Sequence, residues 1–353
     1  MGTADVGVRA GTASGASAPL RIGVIGVGRI GSMHAELLAG RVGGAELGAV
    51  YDAHGDAART VGARLGAPVA GSVEELLADD LDAVAICTST DTHADLIAAA
   101  AAAGKAIFCE KPVSLDLDEV DRALAAVERA GVPFQIGFNR RFDPGHQSVR
   151  DAVAAGTVGE PHLVRISSRD PAPPPLGYVR VSGGIFLDMT IHDFDMARYV
   201  TGSEVVEVFA RGAVRIDPAF GEAGDVDTAV VTLVHADGCL TTIDNSRQAV
   251  YGFDQRVEVF GSAGMAASEN PLGHSGVVRT VEGGRVSPLP YFYLERYTLS
   301  YVREWEAFVS CVAAGIAPPV GAADARAPLV IGLAAWQSVH ERRPVRLAEF
   351  QPA

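Results

Sequence analysis

Apolar residues in the first third of the chain form short strand-like runs that alternate with longer stretches of helical periodicity. Residues 21–40, RIGVIGVGRIGSMHAELLAG, contain such a run, a glycine turn and apolar residues at helical spacing. Three further strand-like runs are AELGAVYD (45–52), LDAVAIC (81–87) and KAIFCE (105–110). Because alternating strands and helices form parallel sheets covered by helices, the pattern predicts an α/β domain with a doubly wound parallel sheet over residues 21–140.

The pattern changes after residue 140, where strand-like runs follow one another with little helix between them. These runs are HLVRIS (162–167), VVEVFARGAV (205–214), DTAVVTLVHADGCLTTIDNS (227–246) and QRVEVFG (255–261). Asp237-Gly238 supplies a hairpin turn inside the third run. The pattern predicts an α+β domain with a large, mostly antiparallel open sheet over residues 141–353, and helices near 298–314 and 324–341.

Charge and composition narrow the classes of partner. The chain has 353 residues, and its formal net charge of −14 argues against nucleic acid or an anionic membrane surface as the main partner. Residues 1–20 lack the apolar core of a signal peptide and are expected to form a flexible tail. The four cysteines are far apart, without zinc spacing, which favours reduced thiols. We therefore expect a cytoplasmic protein with a small neutral ligand.

A glycine motif marks a nucleotide site. Gly26, Gly28 and Gly31 form G-x-G-x-x-G between a strand and a helix, where a tight turn lets the backbone approach a pyrophosphate. Asp52 ends the next strand and can accept hydrogen bonds from a ribose diol, which favours NAD over NADP. The motif predicts a Rossmann domain whose cofactor contacts include the whole turn: Gly26, Val27, Gly28, Arg29, Ile30 and Gly31. The alternatives are a turn that binds nothing, and an Arg29 that is merely exposed.

A second group of polar residues follows the third strand. Thr88, Ser89, Thr90 and His93 come directly after AIC, at the carboxyl edge of the predicted sheet, where ligands of open α/β folds bind. They are expected to line the cofactor cleft, although each could equally cap a helix.

The segment LDMTIHDFD, residues 187–195, places ionisable groups in an apolar run. Asp188 and His192 are four residues apart, so on one helix they lie on the same face and can touch. A carboxylate that orients an imidazole makes it a better general base. Two alternatives stay open: aspartates that stabilise the start of a helix, and a cation site that includes Asp195.

Glu110-Lys111-Pro112, at a strand end after a glycine-turn domain, resembles the Gfo/Idh/MocA family of NAD(P)-dependent sugar and polyol dehydrogenases, and the resemblance covers almost all of residues 21–350. GFNRRFDPG (137–145), SRDPAPPP (168–175), SGGIFLDMTIHDFDMARYVTG (182–202) and NSRQAVYGFDQRVEVFG (245–261) resemble the inositol-oxidising members of that family. The resemblance implies that Lys111, Asp188 and His192 are catalytic, and that Glu110 and Lys111 also lie beside NAD.

These roles are chemically consistent. Oxidation of an alcohol removes a hydride from carbon and a proton from oxygen. His192 would take the proton, Asp188 would orient the imidazole of His192, and Lys111 would stabilise the developing alkoxide. No metal is required. The resemblance further implies that Arg141, Asp170 and Tyr251 lie near the substrate together with these three. Each of the three also has a structural alternative to binding substrate. Arg141 could pair with an acid, Asp170 could cap the proline loop, and Tyr251 could pack as an aromatic in the sheet.

The expected activity is oxidation of a ring hydroxyl of a polyol or sugar to a ketone, with myo-inositol as the favoured substrate. Alternatives within this chemistry are another inositol isomer or an aldose. An NAD-dependent glycosidase and a sugar sensor that binds NAD without turnover represent other classes. The resemblance also implies a homo-oligomer, namely a tetramer built through the exposed face of the second sheet.

Overall fold

A computed structural model describes residues 18–350. Residues 1–17 of the predicted tail, which covers residues 1–20, lie outside the described residues. Leu20, the last residue of that predicted tail, belongs to the first strand. The strands are β1 Leu20–Ile25, β2 Ala45–Tyr51, β3 Ala83–Ile86, β4 Ala106–Glu110, β5 Phe134–Gly137, β6 Pro161–Arg169, β7 Val205–Ala213, β8 Thr228–His235, β9 Leu240–Ser246, β10 Asp254–Gly261, β11 Gly264–Ser268, β12 Val277–Thr280, β13 Gly283–Val286 and β14 Val345–Arg346.

The α-helices are α1 Arg29–Gly40, α2 Gly55–Leu65, α3 Val73–Ala78, α4 Thr90–Ala102, α5 Leu117–Ala130, α6 Pro144–Ala154, α7 Leu176–Val179, α8 Gly184–Asp188, α9 Ile191–Thr201, α10 Pro218–Glu222, α11 Tyr293–Ala314 and α12 Ala322–Glu341. Short 3₁₀ helices cover Asn139–Phe142 and Leu347–Phe350. None of the helices in residues 18–350 is at once long and apolar enough to cross a bilayer.

The first sheet contains five parallel strands in the order β2-β1-β3-β4-β5. The residues of β3 are buried throughout, as expected for a parallel sheet covered on both faces. The strand order reverses direction beside β1, and in such sheets ligands bind at this point, outside the carboxyl ends of the strands. The predicted doubly wound sheet is confirmed.

The second sheet contains seven strands in the order β11-β10-β6-β9-β8-β7-β14. Only β6 and β9 are parallel neighbours, so the prediction of a mostly antiparallel sheet is confirmed. Its inner face packs against α6, α9 and α12. Its outer face carries exposed apolar side chains, including Val230, Leu240 and Phe260.

The last two helices pack against the first sheet, and α12 packs against the second as well. The aromatic residues Tyr301, Trp305 and Phe308 of α11 pack with Phe108 of β4. Helix α12 contributes Leu329 to the core under the first sheet, and Ile331, Ala334 and Ala335 to the core under the second. The predicted helices near 298–314 and 324–341 are confirmed, but α11 belongs to the packing of the first sheet although the sequence assigns it to the second domain.

Candidate functional site

The glycine turn at the end of β1 leaves no room for a side chain at its first and third glycines. Gly26 has φ +86°, and a Cβ there would lie 2.8 Å from the carbonyl oxygen of Cys87. A Cβ on Gly31 would lie 1.9 Å from the carbonyl oxygen of Gly26. A Cβ on Gly28, by contrast, would meet nothing within 4 Å. The turn therefore presents bare backbone to open space at the start of α1, and this surface fits a pyrophosphate.

Asp52 is tied to the same turn. Its Oδ2 accepts a hydrogen bond from the backbone N–H of Val27 at 2.8 Å, and its Oδ1 accepts one from His54 N–H at 2.8 Å. Each oxygen keeps a lone pair, so the carboxylate can still accept a hydroxyl. Ile30 packs against the core beside the turn. The exposed Arg29 lies with its guanidinium carbon 5.7 Å from the ring centre of Phe292.

The residues after β3 divide into two groups. Thr88, Ser89 and Thr90 are partly or fully exposed at the start of α4, and Thr88 Oγ1 shares a 2.6 Å hydrogen bond with Thr92 Oγ1. His93 is 2% exposed, and its nitrogens lie 2.8 Å from Pro112 O and 3.0 Å from Thr88 O. Burial lowers the pKa of His93. A neutral imidazole donates from one nitrogen at a time, so His93 donates to one of these two carbonyls and lies buried between two loops. Its contact with the cofactor stays a prediction.

Glu110 and Lys111, at the end of β4, contact different elements. The carboxylate of Glu110 lies 2.7 Å from His34 Nε2 on α1. Lys111 Nζ donates a 2.8 Å hydrogen bond to the backbone oxygen of Asp188 and lies 3.5 Å from Asp188 Oδ1. Both residues are mostly buried. The strand end therefore connects the nucleotide helix with the segment of Asp188.

Asp188 forms the centre of a charged cluster. Besides the contact with Lys111, its carboxylate accepts hydrogen bonds from Tyr178 Oη at 2.7 Å and from Arg247 Nη1 at 2.9 Å. Burial by itself would raise the pKa of Asp188, but the positive charges of Lys111 and Arg247 outweigh it and leave the pKa below its usual value. Asp188 is therefore ionised at neutral pH.

Asp188 and His192 do not form the predicted hydrogen-bonded pair. Helix α8 ends at Asp188 and α9 begins at Ile191, so the spacing of four does not place them on one helical face. The carboxylate is occupied by Lys111, Tyr178 and Arg247 instead, and no hydrogen bond joins it to His192 among the described residues. The predicted contact is wrong because the helix breaks at Met189 and Thr190.

His192 is an uncharged imidazole beside this cluster. Its Nδ1 is buried without a partner among the described residues, and its ring packs edge-on against Phe138 with ring centres 5.9 Å apart. Burial, reinforced by the positive charges of Lys111 and Arg140, holds the pKa of His192 well below its ordinary value. The ring is therefore neutral at physiological pH and available as a base.

A buried network fixes the start of α9, where His192 lies. Asp193 is fully buried, and its carboxylate accepts hydrogen bonds from Arg140 Nη1 at 2.7 Å and from Asn245 Nδ2 at 2.8 Å. Thr190 Oγ1 in turn donates to Asn245 Oδ1 at 2.6 Å. Burial raises the pKa of Asp193 to about 6, although Arg140 opposes this shift. The network sets the position of the backbone from which His192 extends.

Asp170 joins the cluster through Arg247, whose Nη1 lies 3.5 Å from Asp170 Oδ2. Burial raises the pKa of Asp170, with Arg247 opposing and Asp188 reinforcing the shift. Arg247 and Tyr178 are site residues that the sequence did not reveal. Each lies in a segment used for the family resemblance or next to one, but only the folded chain shows that both reach Asp188.

Arg141 and Tyr251 lie elsewhere. Arg141 donates two hydrogen bonds of 2.8 and 2.6 Å to Asp195 and one of 2.8 Å to Asp324. Its guanidinium is therefore paired with these two carboxylates. Tyr251 is exposed, and its hydroxyl donates to Asp254 at 2.7 Å and accepts from Arg169 at 2.9 Å. Neither residue contacts Lys111, Asp188 or His192, so the structure does not support their predicted places beside the substrate.

Asp195 would be a ligand in the alternative of a cation site. Its carboxylate accepts a hydrogen bond from Arg141 and is almost fully buried. Across residues 18–350, no group of three or more histidines, cysteines and carboxylates is arranged to hold a metal ion. The cation alternative therefore has no cluster to support it within the described chain.

Comparison with known proteins covers both sheets. Residues 20–138 match the model of an oxidoreductase family with an NAD-binding Rossmann fold, and residues 146–267 match the GFO/IDH/MocA C-terminal domain. The chain is 51% identical to myo-inositol 2-dehydrogenase of Thermotoga maritima, covering 94% of this chain and 99% of that protein. It is 46% identical to inositol 2-dehydrogenase of Rhizobium meliloti, covering 93% and 99%. Scyllo-inositol dehydrogenase of Lactobacillus casei, solved with NAD(H) and scyllo-inositol, superposes with a TM-score of 0.87 at 29% identity, covering 94% and 99%.

Proposed function

The chain belongs to the Gfo/Idh/MocA family of oxidoreductases, and on this basis we propose that it oxidises a ring hydroxyl of myo-inositol to a ketone with NAD. The observation that carries the proposal is the neutral His192 beside the cluster of Lys111, Asp188 and Arg247. A base and fixed positive charges are the two things that removal of a hydroxyl proton requires. The relatives that act on inositols support the choice of substrate.

His192 takes the hydroxyl proton in this mechanism. The proton moves to Nε2, because Nδ1 is buried. Lys111 holds the same hydroxyl and stabilises the negative charge that develops on its oxygen. NAD, when bound at the glycine turn, supplies the acceptor for the hydride that leaves the ring carbon.

Asp188 has a different role from the one that its spacing suggests. Its carboxylate holds the ammonium of Lys111 and the guanidinium of Arg247 in place, and a remaining lone pair can accept a substrate hydroxyl. Two cations here face two acidic side chains, those of Asp188 and Asp170. A cluster with both signs of charge and several hydrogen-bonding groups suits a neutral polyol better than an anionic substrate.

Initial rates of NAD reduction with myo-inositol, scyllo-inositol, aldoses and a glycoside would test the proposal. We expect the highest kcat/KM with myo-inositol and a keto-inositol as the product. A higher value with scyllo-inositol or an aldose would contradict the choice of substrate while keeping the reaction class. Release of an aglycone would identify a glycosidase, and NAD binding without turnover of any polyol would identify a sensor.

We further propose that NAD is preferred over NADP, because a 2′-phosphate beside the carboxylate of Asp52 would suffer like-charge repulsion. Asp52→Ala should raise kcat/KM with NADP relative to NAD by about tenfold or more, as loss of ~1.4 kcal/mol of discrimination does. Steady-state kinetics with both cofactors would measure the ratio. Equal efficiency of the unmodified protein with NADP would refute the preference.

The proposed assembly is a homotetramer in the cytoplasm. Val230, Leu240 and Phe260 are exposed on the outer face of the seven-stranded sheet, and a second copy would cover them. The four cysteines are free thiols, three of them buried, in keeping with a reducing compartment. Light scattering should give four times the chain mass, and a monomer mass would refute the assembly.

A further inference from the structure

Three side chains from distant parts of the sequence form a hydrogen-bonded line that ends beside Lys111. Trp305 Nε1 on α11 donates to His34 Nδ1 on α1 at 2.8 Å, and His34 Nε2 lies 2.7 Å from Glu110 Oε1 at the end of β4. His34 and Trp305 are fully buried. The mechanism above uses neither residue.

The direction of this line follows from its first member. The indole N–H of Trp305 can only donate, so Nδ1 of His34 must accept. In a neutral imidazole with Nδ1 as acceptor, the hydrogen is on Nε2, and this N–H then donates to the carboxylate of Glu110. Trp305 therefore selects the tautomer in which His34 binds Glu110.

Packing fixes both the imidazole and the carboxylate. The ring of His34 has Phe108, Tyr301 and Trp305 around it, with ring centres 5.2, 5.5 and 5.7 Å away. The carboxylate of Glu110 also lies close to Gly137: a Cβ on Gly137 would be 3.2 Å from Glu110 Oε2. Glu110 is thus held between the imidazole of His34 and the backbone of Gly137.

We propose that His34 is a positioning residue that holds Glu110, and with it the adjoining Lys111, in the geometry required for turnover. The proposal rests on the dehydrogenase function proposed above. It assigns the buried half of α1 a second task, because the same helix starts at the glycine turn and carries His34 about one and a half turns later. The cofactor helix and the strand end that carries Lys111 are thereby set relative to each other by one imidazole.

Two substitutions of one residue separate positioning from packing. The amide nitrogen of Gln overlays Nε2 of histidine, so His34→Gln keeps a donor for Glu110, whereas His34→Asn places its amide near Nδ1 and leaves Glu110 without one. We expect His34→Asn to lower kcat by about 10–100-fold, as misplacement of a catalytic group by about 1 Å does. His34→Gln should stay within about threefold of the unmodified protein, and the KM for NAD should change by less than about twofold in both.

Trp305→Phe provides a second route that keeps an aromatic ring against Phe108 but removes the N–H. It should lower kcat by about 3–10-fold, and when combined with His34→Asn it should add no further loss, because Trp305 acts through His34. Equal losses of kcat in His34→Gln and His34→Asn that follow their losses of thermal stability would overturn the proposal. So would a double variant whose loss is the product of the single losses.

Failure of the proposed function is distinguishable from failure of this inference. If the unmodified protein oxidises another polyol instead of myo-inositol, the same ratios are measured with that polyol. Crystal structures of the two His34 variants give a readout without activity: the Glu110 carboxylate should keep its place in His34→Gln and move in His34→Asn. An unmoved carboxylate in His34→Asn would overturn the inference whatever the substrate is.

Discussion

The glycine turn and the charged cluster around Asp188 are built in different ways. The turn is made of consecutive residues, and its shape depends on atoms that are missing, such as the Cβ of Gly31, for which there is no room. The cluster is made of side chains from distant segments, and its geometry depends on charges that balance one another, as Lys111 and Arg247 do around Asp188. The turn should therefore be sensitive to added atoms, and the cluster to removed charges.

Removal of the proposed base should have the largest effect. His192→Ala should lower kcat by about 10²–10⁴, the usual contribution of a general base. The KM for NAD should change little, because the turn binds the cofactor independently. Stopped-flow and steady-state kinetics would measure both, with His274→Ala, an exposed histidine between β11 and β12, as the control. Near-normal turnover of His192→Ala would show that this histidine only packs against Phe138.

The pH profile of the unmodified protein provides a second test of the same base. A base with a lowered pKa keeps its unprotonated form as the pH falls, and loses it only below that pKa. Since the pKa of His192 lies well below 6.5, kcat/KM for the polyol should stay level from about pH 8 down to about pH 6.5. A decline centred on the ordinary pKa of histidine would contradict the buried, neutral ring.

Removal of one charge from the cluster should rank next. Asp188→Asn should lower kcat by about 10²-fold, because Lys111 and Arg247 lose their shared partner and a buried charge without a partner is costly. Lys111→Met should have a loss of similar size. Because the two residues act as one unit, the double variant should be little slower than the slower single variant. Multiplied losses in the double variant would show that they act separately.

An added methyl group should have a moderate effect at the turn. Gly31→Ala places a Cβ 1.9 Å from the carbonyl oxygen of Gly26, and overpacking of this kind costs about 1–3 kcal/mol. We expect the Kd for NAD, measured by calorimetry, to rise by about tenfold or more. Gly40→Ala, at the other end of α1 with nothing within 4 Å, is the matched control and should leave the Kd unchanged. Unchanged affinity in Gly31→Ala would mean that the turn does not bind the cofactor.

The smallest expected effect concerns a carboxyl group that has no compensating charge. Glu304 on α11 is fully buried, its two oxygens have no hydrogen-bond partner among the described residues, and burial raises its pKa well above the ordinary value, with Glu110 reinforcing the shift. A carboxyl whose pKa is raised in the folded state contributes its full stability below its unfolded pKa. That stability is lost as the pH rises through the folded pKa.

The side chain in Glu304→Gln resembles the protonated acid, so this variant should not lose stability as the pH rises. Its Tm should match that of the unmodified protein near pH 4 and exceed it by about 1–2 °C at pH 8, as ~1 kcal/mol does in a chain of this size. Scanning calorimetry across this range would measure the difference. Glu306→Gln, exposed on the same helix, is the control. A constant difference at all pH values would show that Glu304 does not titrate in this way.

The same contrast explains how far the sequence could be interpreted. Contiguous signals sufficed for both sheets and for the glycine turn, while the catalytic role that the Glu-Lys-Pro motif implies for Lys111 stays a prediction. Spacing failed at Asp188 and His192, because it assumes an unbroken helix and the chain breaks at Met189 and Thr190. Adjacent arginines could not be told apart either: Arg140 binds Asp193, the neighbour of His192, while Arg141 binds Asp195.

Residues whose role depends on contacts across the fold were missed for the same physical reason. Arg247 and Tyr178 reach Asp188 only because the end of β9 and helix α7 meet at the end of α8 in the folded protein. His93 follows a strand end like its polar neighbours, but its ring turns inward to two carbonyls, and nothing local distinguishes it from them.

Helix α12 has a consequence for how this protein is made. Its side chains complete the core under the first sheet as well as the core under the second, and its residues follow all strands of these two sheets except β14. Neither half can therefore reach its final packing while the ribosome is still synthesising residues 322–341. Until this helix emerges from the ribosome, the strands before it should leave apolar surface exposed. During that interval the nascent chain should depend on chaperones.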